Sequence, residues 1–165
     1  MNKIRVYHGS LEVVKVPEIR EPNRTLDYGK GFYTTTSYQQ AEEWVTRHRK
    51  DKKKPSTGFV NIYEIDLDAV KKANCLWFDG PTDEWIDFVY ANRNDRTFRH
   101  HYDFVYGPVA NDRVYVQFTL YEAGLLSKEG LLRELKVYEL VDQQLMHTSE
   151  SLKSLTYIES KEIPL

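Results

Sequence analysis

The chain has 165 residues, 41% of them hydrophobic and 13% aromatic, with twelve Tyr, seven Phe and three Trp. That length matches a single domain, and that much large apolar surface supports a folded core and excludes disorder over most of the chain. With 23 Lys and Arg against 25 Asp and Glu, the formal net charge of -2 excludes a global pull toward nucleic acid or an anionic membrane.

Cys75 is the only cysteine, which excludes an internal disulfide and a cysteine-based zinc cluster and fits a reducing compartment. The first ten residues alternate charge with β-forming side chains instead of showing an apolar secretory segment. No window approaches the ~20 apolar residues that span a bilayer. The chain is therefore expected to be cytoplasmic, with no membrane partner.

In chain order, Ile4 to Ser10 alternates apolar and polar residues as a half-buried strand does, and Gly9 breaks it, which places His8 at a strand end. Residues 15–30 carry Pro17, Pro22, Asn23, Asp27 and Gly29 without a helical period and read as a long loop, a type of connection that often carries function. Gly31 to Thr36 then reads as a strand rich in β formers. Ser37 followed three residues later by Gln40 predicts a capped helix, with Ala41, Trp44, Val45 and His48 as its buried stripe. The basic run from Arg47 to Lys54 suits a last helical turn, stopped by Pro55, and needs no ligand to explain it.

Phe59–Asp66 and Cys75–Phe78 are expected strands, with at most one helical turn between them. Residues 82–92 carry Trp85, Ile86, Phe88 and Val89 at helical spacing, and Asp103–Val109 reads as a short strand stopped at Gly107-Pro108. Asn111 or Asp112 can cap a helix with Val114, Phe118, Tyr121 and Leu125 on its apolar face. A second helix, from Ser127 to about Lys136, adds Leu131, Leu132 and Leu135. A weak strand at Asp142–His147, a short helix capped by Thr148 and a segment at Thr156–Glu159 complete the chain. Few segments are apolar on both faces, so an α+β fold is expected over a doubly wound parallel sheet.

No dinucleotide fingerprint, phosphate loop, zinc-protease helix or nucleophile elbow is present. Gly29-Lys30-Gly31 alone reads as a tight turn. The pair His100-His101 with Asp103 is a poor metal site, because adjacent residues of an extended segment point to opposite faces.

More informative is Tyr7-His8-Gly9-Ser10 followed by Tyr28-Gly29-Lys30-Gly31-Phe32-Tyr33-Thr34-Thr35. The first segment sets an imidazole at a strand end beside a glycine that a ligand can approach closely; the second sets a Tyr on a strand after a glycine-rich entry. Together they resemble the ADP-ribosyltransferase superfamily, in its branch with a His, Tyr, Glu-type site. The chain is similar in particular to a bacterial family catalogued as a domain of unknown function. Gln39, Gln40, Ala41 and Trp44, the segment from Asp103 to Asp112, and a Gln before a Thr-initiated helix (Gln143 and Thr148) extend the likeness over nearly the whole chain.

The resemblance implies two small packed sheets, mainly antiparallel, with flanking helices. It implies NAD as substrate, with no metal: His8 on a ribose hydroxyl, the Gly9 backbone on the nicotinamide carboxamide, Tyr33 stacked on the nicotinamide, and Trp44 as the second aromatic. Ser10 and Thr34 join Gly9 and Trp44 as expected NAD contacts, and Lys30 could meet the pyrophosphate. Gln143 takes the third position in place of Glu, and an amide orients a hydroxyl without offering a full negative charge. Glu139, Glu150 and Gln117 are alternative third members. The activity implied is release of nicotinamide and transfer of ADP-ribose to a macromolecule, protein or nucleic acid, with a small antitoxin-like protein as partner. A non-catalytic NAD-binding module, or an RNA 2'-phosphotransferase-like enzyme using Arg5, Arg20 and Arg24, are the alternatives.

Overall fold

The computed structural model describes residues 2–22, 24–47, 57–109, 112–137 and 140–165. Two sheets carry the fold. The first takes β1 (Lys3–Ser10), β3 (Thr57–Asp66) and β7 (Leu155–Pro164) in the order β1-β3-β7, all antiparallel. The second takes β2 (Phe32–Thr34), β4 (Cys75–Trp77), β5 (Phe104–Pro108) and β6 (Asp142–Met146) in the order β2-β6-β5-β4, antiparallel except for the β4–β5 pair. The parallel pair needs a crossover, and α3 (Asp83–Asn94) supplies it. The α+β expectation and the two-sheet arrangement hold at this level.

Capping chemistry sets the helix starts as the sequence spacing predicts. The Ser37 Oγ accepts the Gln40 N–H at the head of α1 (Tyr38–Arg47), Thr82 accepts from Trp85 ahead of α3, and Ser127 accepts from Gly130 ahead of α5 (Lys128–Leu135). Thr148 and Ser151 close a reciprocal capping box on α6 (Ser149–Leu152). Three expectations need correction. The connection after β3 is α2 (Leu67–Lys72), longer than one turn, because Asp66 caps it by accepting from Asp68 and Ala69. Trp44 does not join the buried stripe of α1: Ala41 and Val45 are buried, whereas Trp44 is 40% exposed. Leu125 is 76% exposed, because α4 (Asp112–Glu122) has ended before it. The expected contributions of His48, most of the basic run after Arg47, and Asn111 lie outside the described residues.

Packing follows strand alternation. Phe32, Phe104 and Met146 project from one face of the second sheet into a cluster with Val6, Tyr63 and Ile65 of the first. Tyr33, Val105 and Leu145 project from its other face, onto Tyr28, Trp85, Phe118 and Leu131. Tyr28 is fully buried and satisfied: its hydroxyl donates to the Pro108 carbonyl at 2.8 Å and accepts the Trp85 indole N–H at 2.8 Å. The long loop thereby gains a fixed point next to Gly29.

Candidate functional site

The two sheets meet along one edge at a single backbone pair. Tyr7 donates to Thr35 at 2.8 Å and accepts from it at 3.0 Å, after which β1 and β2 belong to different sheets. Backbone groups alternate sides along a strand, so Gly9 turns its N–H and C=O toward the same edge as Tyr7, where β2 has parted from β1. The absence of a side chain at Gly9 serves helix packing: a methyl there would collide with the Ala41 carbonyl and the Val45 side chain of α1. Gly31 is required for a second reason. Its φ of +154° is unfavourable for other residues, and a Cβ would run into Leu145 and the Met146 carbonyl.

His8 sits where the strands part. Its Nδ1 lies 2.7 Å from the Tyr33 carbonyl, and since a carbonyl only accepts, Nδ1 carries the proton and Nε2 holds a lone pair. Among the described residues Nε2 has no hydrogen-bond partner, and it is not sealed from solvent. Desolvation pushes the imidazole down to about 4, against the pull of the Tyr33 carbonyl, with Arg20 lowering it further and Glu12 raising it. His8 is thus a neutral acceptor at physiological pH. Its ring lies 4.2 Å from the Phe32 ring and 6.4 Å from that of Trp44, centre to centre.

Tyr33 occupies the other face of β2. Its hydroxyl donates to the Gly29 carbonyl and accepts the Tyr28 N–H at 3.1 Å, which fixes the ring, and burial raises its pKa well above the ordinary value. Gln143, buried at 9% exposure, projects from β6 on the same face as Leu145 and hence as Tyr33. The structure therefore brings Tyr33 and Gln143 to one face, while His8 meets Tyr33 through the backbone, with its ring on the Phe32 side. Thr34 is directed elsewhere: it is buried, and its hydroxyl donates to the Gln144 side chain at 3.0 Å. The Ser10 hydroxyl accepts the Glu12 N–H at 3.2 Å. Of the alternative third members, Glu150 is exposed and paired with Lys153 at 3.0 Å, Gln117 is half-buried on α4, and Glu139 lies outside the described residues.

Sequence reasoning missed Asp27. Its carboxylate faces Arg93 of α3 at 3.7 Å, burial raises its pKa above the ordinary carboxylate value, and Arg93 also binds Glu122 of α4 at 3.1 Å. The Arg93 guanidinium rests on the Tyr115 and Phe118 rings, at 4.8 and 5.1 Å. The only sequence signal is an acid placed inside a loop between apolar Leu26 and Tyr28, where nothing announces a cation 66 positions later.

A cavity of about 780 Å³ opens at the Gly29-Lys30 turn, with Arg24, Lys30, Arg96, Arg99, His100 and His147 among its walls. Lys30 is paired there with Glu21. His8, Tyr33 and Gln143 do not line this cavity. Both nitrogens of His100 are committed, Nε2 to the Tyr28 carbonyl at 2.7 Å and Nδ1 to the Tyr102 N–H at 3.2 Å, so it has none for a metal. Among the described residues no group of three His, Cys, Asp or Glu could hold a metal ion, and no helix is long and apolar enough to cross a membrane.

The model of a family described as protein of unknown function, DUF3990, matches residues 4–157, and the chain belongs to that family. No curated protein matches the sequence.

Proposed function

We propose that this protein binds NAD where β1 and β2 part and acts as an ADP-ribosyltransferase. The observation that carries the reading is His8: a neutral imidazole with Nδ1 anchored and Nε2 open, beside an edge to which Gly9 turns one donor and one acceptor. A ribose hydroxyl complements the first, and a carboxamide complements the second. On the side of β2 where His8 lies, the half-exposed Trp44, its ring 6.4 Å from that of His8, supplies an aromatic face for nicotinamide, while Tyr33 lies on the other face of the strand. The cavity at Gly29-Lys30 has room and cations for a diphosphate, within the usual few hundred to ~1,000 Å³ of ligand pockets.

In the reaction the bond from ribose C1' to the nicotinamide nitrogen breaks, and both electrons leave with nicotinamide, which departs neutral. An acceptor oxygen or nitrogen forms the new bond to C1' and releases its proton to solvent. Positive charge develops on the ribose in between, and the site stabilises it by oriented dipoles. A macromolecular acceptor and a small protein that restrains the enzyme belong to the same reading.

Incubation with NAD labelled on the adenylate, in the presence of a cell lysate, tests it. Free nicotinamide together with labelled macromolecules is the expected result, lost in His8→Ala. Nicotinamide without labelled acceptor indicates hydrolysis. Intact NAD with retained binding indicates the non-catalytic module, a reading that the neutral Gln143 favours; absence of both binding and release overturns the proposal.

A further inference from the structure

We infer that Asn61 is a positioning residue: its side-chain amide pins residues 12–14 across the face of the first sheet from which the His8 ring projects, and so builds one wall of the cleft at His8. This rests on the NAD-site reading above, because it gives that wall to the ligand. Asn61 stands out on β3, the central strand of its sheet, as a fully buried polar residue between buried Val60 and Ile62. Such a position favours a β-branched or aromatic side chain, and an amide there is costly unless its donors and acceptors are satisfied.

Every hydrogen-bonding capacity of the Asn61 amide is filled. Oδ1 accepts the Val14 N–H at 3.0 Å and the Ser160 hydroxyl at 2.6 Å, while Nδ2 donates to the His8 and Glu12 carbonyls, both at 3.3 Å. A backbone N–H only donates and a carbonyl only accepts, so the amide has a single orientation. All its partners except Ser160 belong to the chain from His8 to Val14. Asn61 is the register partner of His8, so both side chains leave the same face, as do Val6 and Tyr63, the next pair on that face. Directly opposite side chains are about 5 Å apart at Cβ, so a loop bonded to one runs beside the other. Tyr63 completes the grip: its hydroxyl donates to the Val14 carbonyl, and the Val14 side chain packs with Val6, Phe32 and Tyr63. The same loop carries Glu12, paired with Arg20 at 3.2 Å; Glu12 raises the imidazole pKa and Arg20 lowers it. A loop held in this way keeps water from one side of the imidazole and limits where a ribose can lie against Nε2.

The test pairs measurements that need no NAD with one that does. Asn61→Asp keeps the shape and the bonds to Val14 and Ser160 but sets an oxygen against two carbonyls. Asn61→Ser shortens the side chain without adding charge, which covers the case in which the carboxylate prevents folding. In either variant the Val14 amide is expected to exchange about 10-fold faster, as a lost hydrogen bond allows. The His8 imidazole, followed by NMR, is expected to titrate above its value of about 4 as water reaches it. Nicotinamide release from NAD is expected to fall about 10- to 100-fold in kcat/KM, as misplaced groups cost. Ser160→Ala removes the bond on the β7 side alone and is expected to lower stability while leaving the His8 titration and release unchanged. A His8 titration unmoved by the Asn61 variants overturns the inference. So does an unaltered kcat/KM in a protein that releases nicotinamide, or a loss in Ser160→Ala equal to theirs. If Val14 exchange and the His8 titration follow Asn61 while the protein neither binds nor cleaves NAD, the positioning stands and the NAD reading falls.

Discussion

Two histidines hold the two ends of the segment from Tyr28 to Tyr33, and they do so by the same bond. His8 donates to the Tyr33 carbonyl and His100 to the Tyr28 carbonyl, each at 2.7 Å, and desolvation lowers the pKa of both. They differ at the second nitrogen. In His100 it accepts the Tyr102 N–H, and the ring lies 4.1 Å from that of His147, tilted to it; in His8 it has no partner among the described residues. A saturated histidine is a structural clamp, whereas one clamped by a single nitrogen keeps a directed acceptor for something else. Burial alone does not separate the two.

The comparison breaks first at His8. His8→Ala is expected to lower nicotinamide release by about 100-fold or more while costing about 1 kcal/mol of stability, the worth of one hydrogen bond, as checked by release assays beside denaturant unfolding. His100→Ala strips partners from the Tyr28 carbonyl and the Tyr102 N–H and leaves a cavity, so denaturant unfolding should show a loss of about 2–3 kcal/mol. Gly9→Ala forces α1 away from β1 and is expected to cost about 1–3 kcal/mol by the same measurement, as overpacking does.

Acid sharpens the comparison further. His8 titrates near 4 when folded and near 6.5 when unfolded, so between these values the unfolded chain binds a proton that the folded chain refuses. Stability should therefore fall as pH drops from about 6.5 toward 4, with His100 contributing in the same direction. Unfolding midpoints across that range test this, and His8→Ala should remove its share of the slope. The smallest effect is expected for Tyr33→Phe, which releases the ring from Gly29 and Tyr28 at a cost of about 1 kcal/mol, read by thermal unfolding.

Local chemistry made much of the fold legible. The alternation of Ile4 to Ser10 and the caps at Ser37, Thr82, Ser127 and Thr148 act over a few residues, and each appears where its spacing places it. Trp44 shows where periodicity runs out. It lies about 60° around the helix from Ala41, on the flank of the buried stripe, and only tertiary contact decides whether a flank is covered. Leu125 continues the helical spacing, but the helix has stopped before it. The strand carrying His8 and Gly9 was readable from local alternation, although Gly9 does not end it: β1 continues to Ser10, with Gly9 paired to Val60 and Ser10 to Phe59. The Tyr33 hydroxyl bonds, the direction of Thr34 and the link from Asp27 to Arg93 depend on which face each strand turns inward and which helix arrives from elsewhere.

The meeting of Tyr7 with Thr35 has a mechanical consequence. These two bonds are the only backbone pairing between the sheets among the described residues, while the His8 ring on the Tyr33 carbonyl and the core around Val6 and Phe32 join them by side chains. Amide hydrogen exchange at residues 7 and 35 should accordingly outpace that in the interior of β3, which has a neighbouring strand on both sides.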